Sequence, residues 1–348
     1  MNKKSYFPSI NGIKAIAALA IVLFHVYYNG KFSFTKFRIG DIIMHLNAFV
    51  IMFFMLSAFG MCCGYYDKIK EGAISLKEFY LKRYVRIFPF LALMVILDLI
   101  YSGFSGQNVF ESFSHITLYM GFVPYNEMHI VGVAWSMGVI FAFYIMFPFF
   151  VFMLWSKRSA WFFLAITLLL KVAGYYFKDT INFYSLGNIM SWITVFIVGG
   201  IIFLYKDFII KIFNKKSIIP LLMVAVCIVL RVLVSKNSTV SQFGPVIETI
   251  GFAFMIMYAM VEQATLLGNK VFNFIGKYCF EIYLAHMAVF RILQKVGALG
   301  WIKIPWLSYI VLYVITVVAS LAFAVIANKI IQLLLPKKFA GVALKETK

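Results

Sequence analysis

Along this chain apolar residues neither alternate at the two-residue period of a strand nor form the one-sided stripe of a soluble helix. They come in long unbroken runs parted by short polar or basic stretches. Ten runs stand out, at roughly 10–29, 44–64, 86–104, 132–155, 159–177, 188–205, 217–235, 244–262, 271–293 and 307–335. A helix needs about 20 apolar residues to cross a hydrocarbon core about 30 Å thick. Backbone groups in lipid must be bonded within the segment or around a closed barrel, and these runs are far longer than barrel strands. The pattern therefore predicts an all-α polytopic membrane protein of about ten transmembrane helices, a single integral-membrane domain over 1–348. The longest connections fall at about 65–85 and 105–131.

Composition agrees. The chain is 63% hydrophobic and 13% charged, where a soluble domain is roughly half apolar and about a quarter charged. An ordinary soluble enzyme is excluded. The charge is lopsided, 32 Lys and Arg against 13 Asp and Glu, but nucleic-acid binding needs a polar face to carry such charge and almost none exists. The basic residues instead set orientation. With the N-terminus inside, nineteen lie in cytoplasmic segments and seven in outer loops, so both termini are expected in the cytoplasm. Lys3 and Lys4 precede a first apolar run with no A-x-A-like site after it, which predicts an uncleaved span. Cys62, Cys63, Cys227 and Cys279 all sit in apolar runs and read as small buried hydrophobes rather than disulfides, metal ligands or nucleophiles. No metal is expected.

Ionisable residues within spans are costly, so they are where chemistry is sought. Lys14 and His25 of the first run are eleven residues apart, close to three helical turns, and share a face about 16 Å apart along the axis. The plainer alternative is a snorkelling lysine and a histidine bonded to a neighbouring helix. Arg83 and Arg86, neighbours on one helical turn where a basic loop enters the third run, suit a phosphate gripped by planar forks. The alternative there is a positive-inside cluster at the headgroups. Glu281 in CFEIYLAH either belongs near a site or pairs with Lys277, four residues earlier. Asp98, Lys171, Arg231, Glu248 and Arg291 are further intramembrane charges, and His115 and His129 lie in the largest outer loop.

These residues also carry a resemblance. The Lys14-x10-His25 spacing in NGIKAIAALAIVLFH resembles the first-helix signature of the acyltransferase 3 family of membrane-bound bacterial acyltransferases. Arg83-x-x-Arg86 followed by Ile-Phe-Pro resembles its RxxR element, FFMLSAF with Ser57 its FFxxSGF, Trp135-Ser136-Met137 its WSL stretch, and Tyr283-Leu284-Ala285-His286 its late YLxH. The matches come in order over nearly the whole chain. Two departures are plain: Ile140 and Phe141 stand where many relatives carry an acidic residue, and Ala58 replaces a glycine. The chain leaves no room for the SGNH-type hydrolase domain that some relatives carry, so a stand-alone form is expected.

The resemblance implies transfer of a short acyl group, most often acetyl, from acyl-coenzyme A to a hydroxyl of a cell-surface polysaccharide, its lipid-linked precursor or a related envelope acceptor, in the bacterial plasma (inner) membrane. His25 is then the general base, since imidazole has a suitable intrinsic pKa. Lys14, Arg83 and Arg86 would hold the coenzyme phosphates. Ser57, Trp135, Glu281 and His286 are supporting candidates; each also has a packing or anchoring reading. The competing functions are a transporter or flippase of lipid-linked sugars, and a non-catalytic member that binds acyl-coenzyme A or lipid. Paired broken spans between two halves, the mark of many transporters, are not visible in the sequence.

Overall fold

The computed structural model describes residues 7–34, 39–122, 128–177, 188–213, 218–235, 241, 243–262 and 266–335. Among these there is no strand. The helices are α1 Pro8–Asn29, α2 Ile39–Met44, α3 Phe49–Lys70, α4 Leu76–Ser102, α5 Gly106–Ile116, α6 Trp135–Met153, α7 Lys157–Tyr176, α8 Ile189–Leu204, α9 Lys206–Phe213, α10 Ile219–Val234, α11 Gly244–Val261, α12 Lys270–Lys277, α13 Cys279–Lys295 and α14 Pro305–Leu334. Each of the ten apolar runs is helical, and the protein is an all-α polytopic membrane protein. Six stretches are long and apolar enough to cross a membrane, with the α8 and α9 pair, bent by 67°, a seventh if taken as one span. α10 is apolar but has only 16 residues, and α13 has 17. The terminal lysines on which the expectation of two cytoplasmic ends rests lie outside the described residues.

Two connections differ from expectation. α3 runs on to Lys70 and α4 begins at Leu76, leaving five residues between them where the hydropathy pattern predicts a connection over about 65–85. Hydropathy marks only the lipid-embedded part of a helix, whereas α4 extends N-terminally on polar residues, with Glu78 and Lys82 paired one turn apart at 2.6 Å. The expected loop at 105–131 contains α5, which the Ser105 hydroxyl caps by accepting from the Asn108 N–H at 3.1 Å.

The helices form two compact units. The first comprises Met1–Ala17, Ala48–Ser75 and Ile145–Gly276. There α3 lies along α8, with Phe54 between Trp192 and Phe196. Gly199 comes so near the Met55 carbonyl that a Cβ would collide with it, which is the close approach small residues give membrane helices. α10 and α11 are cross-linked by Arg231 Nε donating to Glu248 Oε1 at 2.6 Å.

The second unit comprises Ala18–Asn47, Leu76–Tyr144 and Lys277–Lys348. Its core is α13 packed on α4 and α14, with Phe90, Leu91, Met94 and Val95 of α4 buried. Tyr309 of α14 donates to the Leu23 carbonyl of α1 at 3.0 Å. Side-chain pairs fix the helix directions. Arg86 meets Glu281 and Asp98 meets Arg291, so α4 and α13 run parallel. His25 faces His286, and Gln294 donates to the Asn29 carbonyl, so this part of α1 runs the same way.

Candidate active site

The second unit gathers most of the expected residues around α13. Three side-chain contacts leave this helix at five-residue intervals: the Glu281–Arg86 ion pair, the ring contact of His286 with His25, and the Arg291–Asp98 ion pair. Five residues advance an α-helix by about 7.5 Å, so the histidine level lies midway between two ion pairs. The pairs have opposite polarity, acid on α13 in one and on α4 in the other. Sliding α13 along α4 would part both, so the register of the histidines is fixed electrostatically as well as by packing.

At the middle level the His25 and His286 ring centroids are 5.0 Å apart, with planes inclined by 42°. His286 is wholly buried, and its Nδ1 lies 2.7 Å from the Tyr283 carbonyl oxygen. His25 is half-buried. Asn29, one turn further along α1, donates through Nδ2 to the His25 carbonyl at 2.9 Å and lies 3.4 Å from His25 Nδ1. Tyr283 ties this level to the start of α6. Its hydroxyl donates to the Val133 carbonyl at 3.0 Å and stands 2.9 Å from the Ser136 hydroxyl, next to Trp135, which is half-buried.

At the lower level Arg86 Nη1 donates to Glu281 Oε1 at 3.1 Å. Glu281 pairs with Arg86 of α4 and not with Lys277 four residues before it. A cleft opens here, lined by Arg86, Pro89, Lys277, Tyr278, Asn328 and Gln332 among others. The Glu281 carboxylate is buried, and its second oxygen has no hydrogen-bond partner among the described residues. Pro89 lacks an N–H, so the Val85 carbonyl one turn back is without its helical donor and adds an acceptor beside the cleft. Arg83, one turn before Arg86, rests its guanidinium 5.8 Å from the Tyr144 ring centroid. Two cations, two amides and one carboxylate suit an anion carried on a larger polar ligand, and the residues present fit coenzyme phosphates in this respect.

At the upper level Asp98 is buried. It accepts from Arg291 Nη2 at 2.7 Å and from the Val131 N–H at 2.5 Å. Glu111 of α5, also buried, accepts from the His129 and Ile130 N–H groups at 2.7 and 2.9 Å. Three successive backbone donors of the segment entering α6 thus end on two carboxylates. Val131 is held at φ +43°, a strained setting for a β-branched residue. His115 is 1% exposed and bonds the Ile130 carbonyl at 2.7 Å. Burial lowers its pKa to about 4 despite that bond and the nearby Glu111 and Asp98 charges, which favour protonation. Burial pushes the Glu111 carboxyl up, but the bonds from Ile130, Gln107 and His129 outweigh it and hold the group below its ordinary value.

Lys14 and Ser57 belong to the first unit, Lys14 on the first half of α1 and Ser57 on α3, both half-buried. His25, Arg83, Arg86, Trp135, Glu281 and His286 all belong to the second. Asp98, Glu111, Asn29 and Tyr283 were not singled out as site residues from sequence. Asp98 and Glu111 carry one signal in the sequence, a carboxylate beside or within an apolar stretch, but the backbone donors that both accept from lie in a loop without regular pattern.

A family model described as an acyltransferase domain matches residues 7–326. The peptidoglycan O-acetyltransferase OatA of Listeria monocytogenes is similar at 23% identity, across 94% of this chain and 56% of that protein. The chain therefore spans about half the length of this curated relative. No solved structure matches it.

Proposed function

The chain belongs to the acyltransferase family whose model covers it, and from that premise we propose that it is a membrane O-acyltransferase. It moves a short acyl group, acetyl, from acyl-coenzyme A to a hydroxyl of an envelope glycan in the bacterial inner membrane. The similar protein's own name, a peptidoglycan O-acetyltransferase, supports acetyl as the group and a cell-wall or surface polysaccharide, or its lipid-linked precursor, as the acceptor class.

The observation that carries this reading is the vertical order along α13: a phosphate-compatible cleft at Arg86 and Glu281, and, five residues further along the helix, the level at which half-buried His25 of α1 meets His286. A pantetheine arm extends about 15–20 Å by bond-counting. That is longer than the axial step of about 7.5 Å between the two levels, so phosphates at Arg86 and Arg83 leave enough arm for the thioester to reach His25.

In the reaction proposed, His25 takes the proton of the acceptor hydroxyl as its oxygen attacks the thioester carbonyl. The carbon–oxygen bond forms, the carbon–sulfur bond breaks, and the departing thiolate takes the proton back from His25. Arg83 and Arg86 bind the donor through its phosphates, and Glu281 fixes the Arg86 guanidinium in one orientation. Tyr283 and Ser136 hold the start of α6, and so Trp135, against the histidine level.

The test is incubation of the purified protein in lipid vesicles with acetyl-labelled coenzyme A and envelope glycan. Label in an alkali-labile glycan ester is the expected result. Absence of incorporation, together with movement of lipid-linked sugar across the vesicle membrane, would replace this reading with a transporter.

A further inference from the structure

Neutral imidazole carries one proton, and what each ring nitrogen meets decides where it rests. A carbonyl oxygen only accepts, so the 2.7 Å contact from His286 Nδ1 to the Tyr283 carbonyl requires the proton on Nδ1. His286 Nε2 is then a bare acceptor, buried and without a hydrogen-bond partner among the described residues. His25 is set the other way. Its backbone carbonyl fixes the Asn29 amide with nitrogen inward at 2.9 Å, and the same nitrogen lies 3.4 Å from His25 Nδ1. Nδ1 therefore meets a donor, and the proton of neutral His25 rests on Nε2.

The two rings hold complementary tautomers 5.0 Å apart. The rings are inclined by 42° and no hydrogen bond joins them in this structure, so a turn of the His25 ring is what brings its Nε2–H to the bare His286 Nε2. His286 is wholly enclosed, so substrate does not reach it, whereas His25 is half-buried in front of it.

We propose that His286 is the positioning residue for His25: once the His25 ring has turned, His286 Nε2 accepts the His25 Nε2–H, directing His25 Nδ1 to the acceptor hydroxyl and stabilising the imidazolium while that proton is held. The reading rests on the acyl transfer proposed above and adds a two-histidine dyad to it. The weak Asn29 contact at Nδ1 is the one the acceptor hydroxyl displaces. The hydroxyl proton passes to His25 Nδ1 and from there to the coenzyme thiolate, while His286 keeps its single proton on Nδ1 throughout. Tyr283 takes part twice, through its carbonyl, which sets the His286 tautomer, and through its hydroxyl, which anchors the helix that carries it to Val133.

The test uses the whole protein in vesicles, with initial rates for acetyl transfer from the wild type, His286→Leu, His286→Gln, His25→Ala and the His25→Ala/His286→Leu double variant. His286→Leu is expected to lower kcat about 100-fold with little change in KM for acetyl-coenzyme A. His286→Gln, whose amide oxygen can stand near the Nε2 position, recovers part of it. The double variant is expected to be no slower than His25→Ala, because residues acting as one unit are not additive. Additive losses, or no recovery in the glutamine variant, would show a packing role and overturn the dyad while the transferase reading stands. An inactive wild type would overturn both. Nitrogen-15 spectra of histidine-labelled protein, assigned by difference with His286→Gln, give a readout independent of turnover: an Nδ1–H tautomer at His286 is expected, and an Nε2–H tautomer there contradicts the proposal.

Discussion

Arg86 has two tasks at once, since it lines the cleft and is already paired with Glu281. A guanidinium has five donors, and one carboxylate oxygen uses few of them, so the remainder stay available to a phosphate. If the coenzyme's phosphates bind here, Arg86→Ala raises KM for acetyl-coenzyme A about tenfold, the equivalent of one charge-assisted hydrogen bond worth ~1.4 kcal/mol. Steady-state kinetics with a donor truncated to acetyl-pantetheine, which has no phosphates, should show no such change. Equal losses for both donors would remove the phosphate from this cleft. At this scale the sequence was informative about residue types and silent about partners. His25, Arg83 and Arg86 announced themselves as charges in or beside lipid. That Glu281 chooses Arg86 over Lys277 depends on how α4 and α13 align, which no spacing within either helix encodes.

Among the elements, the close approach of α3 and α8 depends on glycine where a side chain has no room. Gly199 would place a Cβ on the Met55 carbonyl, whereas a Cβ on Gly60 of α3 meets nothing within 4 Å. Gly199→Leu is therefore expected to lower the thermal stability of the detergent-solubilised protein, by about 1–3 kcal/mol for overpacking, while Gly60→Leu leaves it nearly unchanged. Similar shifts for both would contradict the packing described. The segment entering α6 gives a second element-scale prediction, in pH. His115 is held near 4 by burial against an ordinary value of 6.5, so the unfolded segment binds more protons and acid disfavours the folded one between those values. Glu111 is held below its ordinary value, so its contribution is present above the unfolded pKa and is also lost as pH falls. Both act in one direction. Hydrogen exchange at the His129, Ile130 and Val131 amides, corrected for intrinsic rate, should show protection falling steadily as pH is lowered from about 6.5 towards 4. Protection unchanged over that range would contradict the carboxylate clamp. The clamp itself was hidden from the sequence because α5 is short and the clamped segment has no period; hydropathy found the spans and passed over both.

Taken whole, the molecule has a class that its sequence makes plain. Long apolar runs force internally bonded backbone, and each of them is helical. The extents of helices beyond lipid were less legible, as the early start of α4 shows, because residues such as Glu78 and Lys82 sustain a helix without adding apolar character. Least legible was the placing of His286 beside His25. One imidazole was readable as a base from its own helix, but its neighbour comes from α13, more than two hundred residues later in the chain. The two ion pairs that fix α13 against α4 explain why that neighbour arrives at the right height. They also make a prediction for the molecule's central chemistry: function is concentrated at one level, so removing one side chain there should stop turnover without dismantling the bundle. The direct test is the initial rate of acetyl transfer from labelled acetyl-coenzyme A by His25→Ala beside the wild type, with both first shown to be monodisperse and equally heat-stable in detergent. A loss of about 100- to 10,000-fold in kcat is predicted; transfer at the wild-type rate would contradict the assignment of His25 as the base.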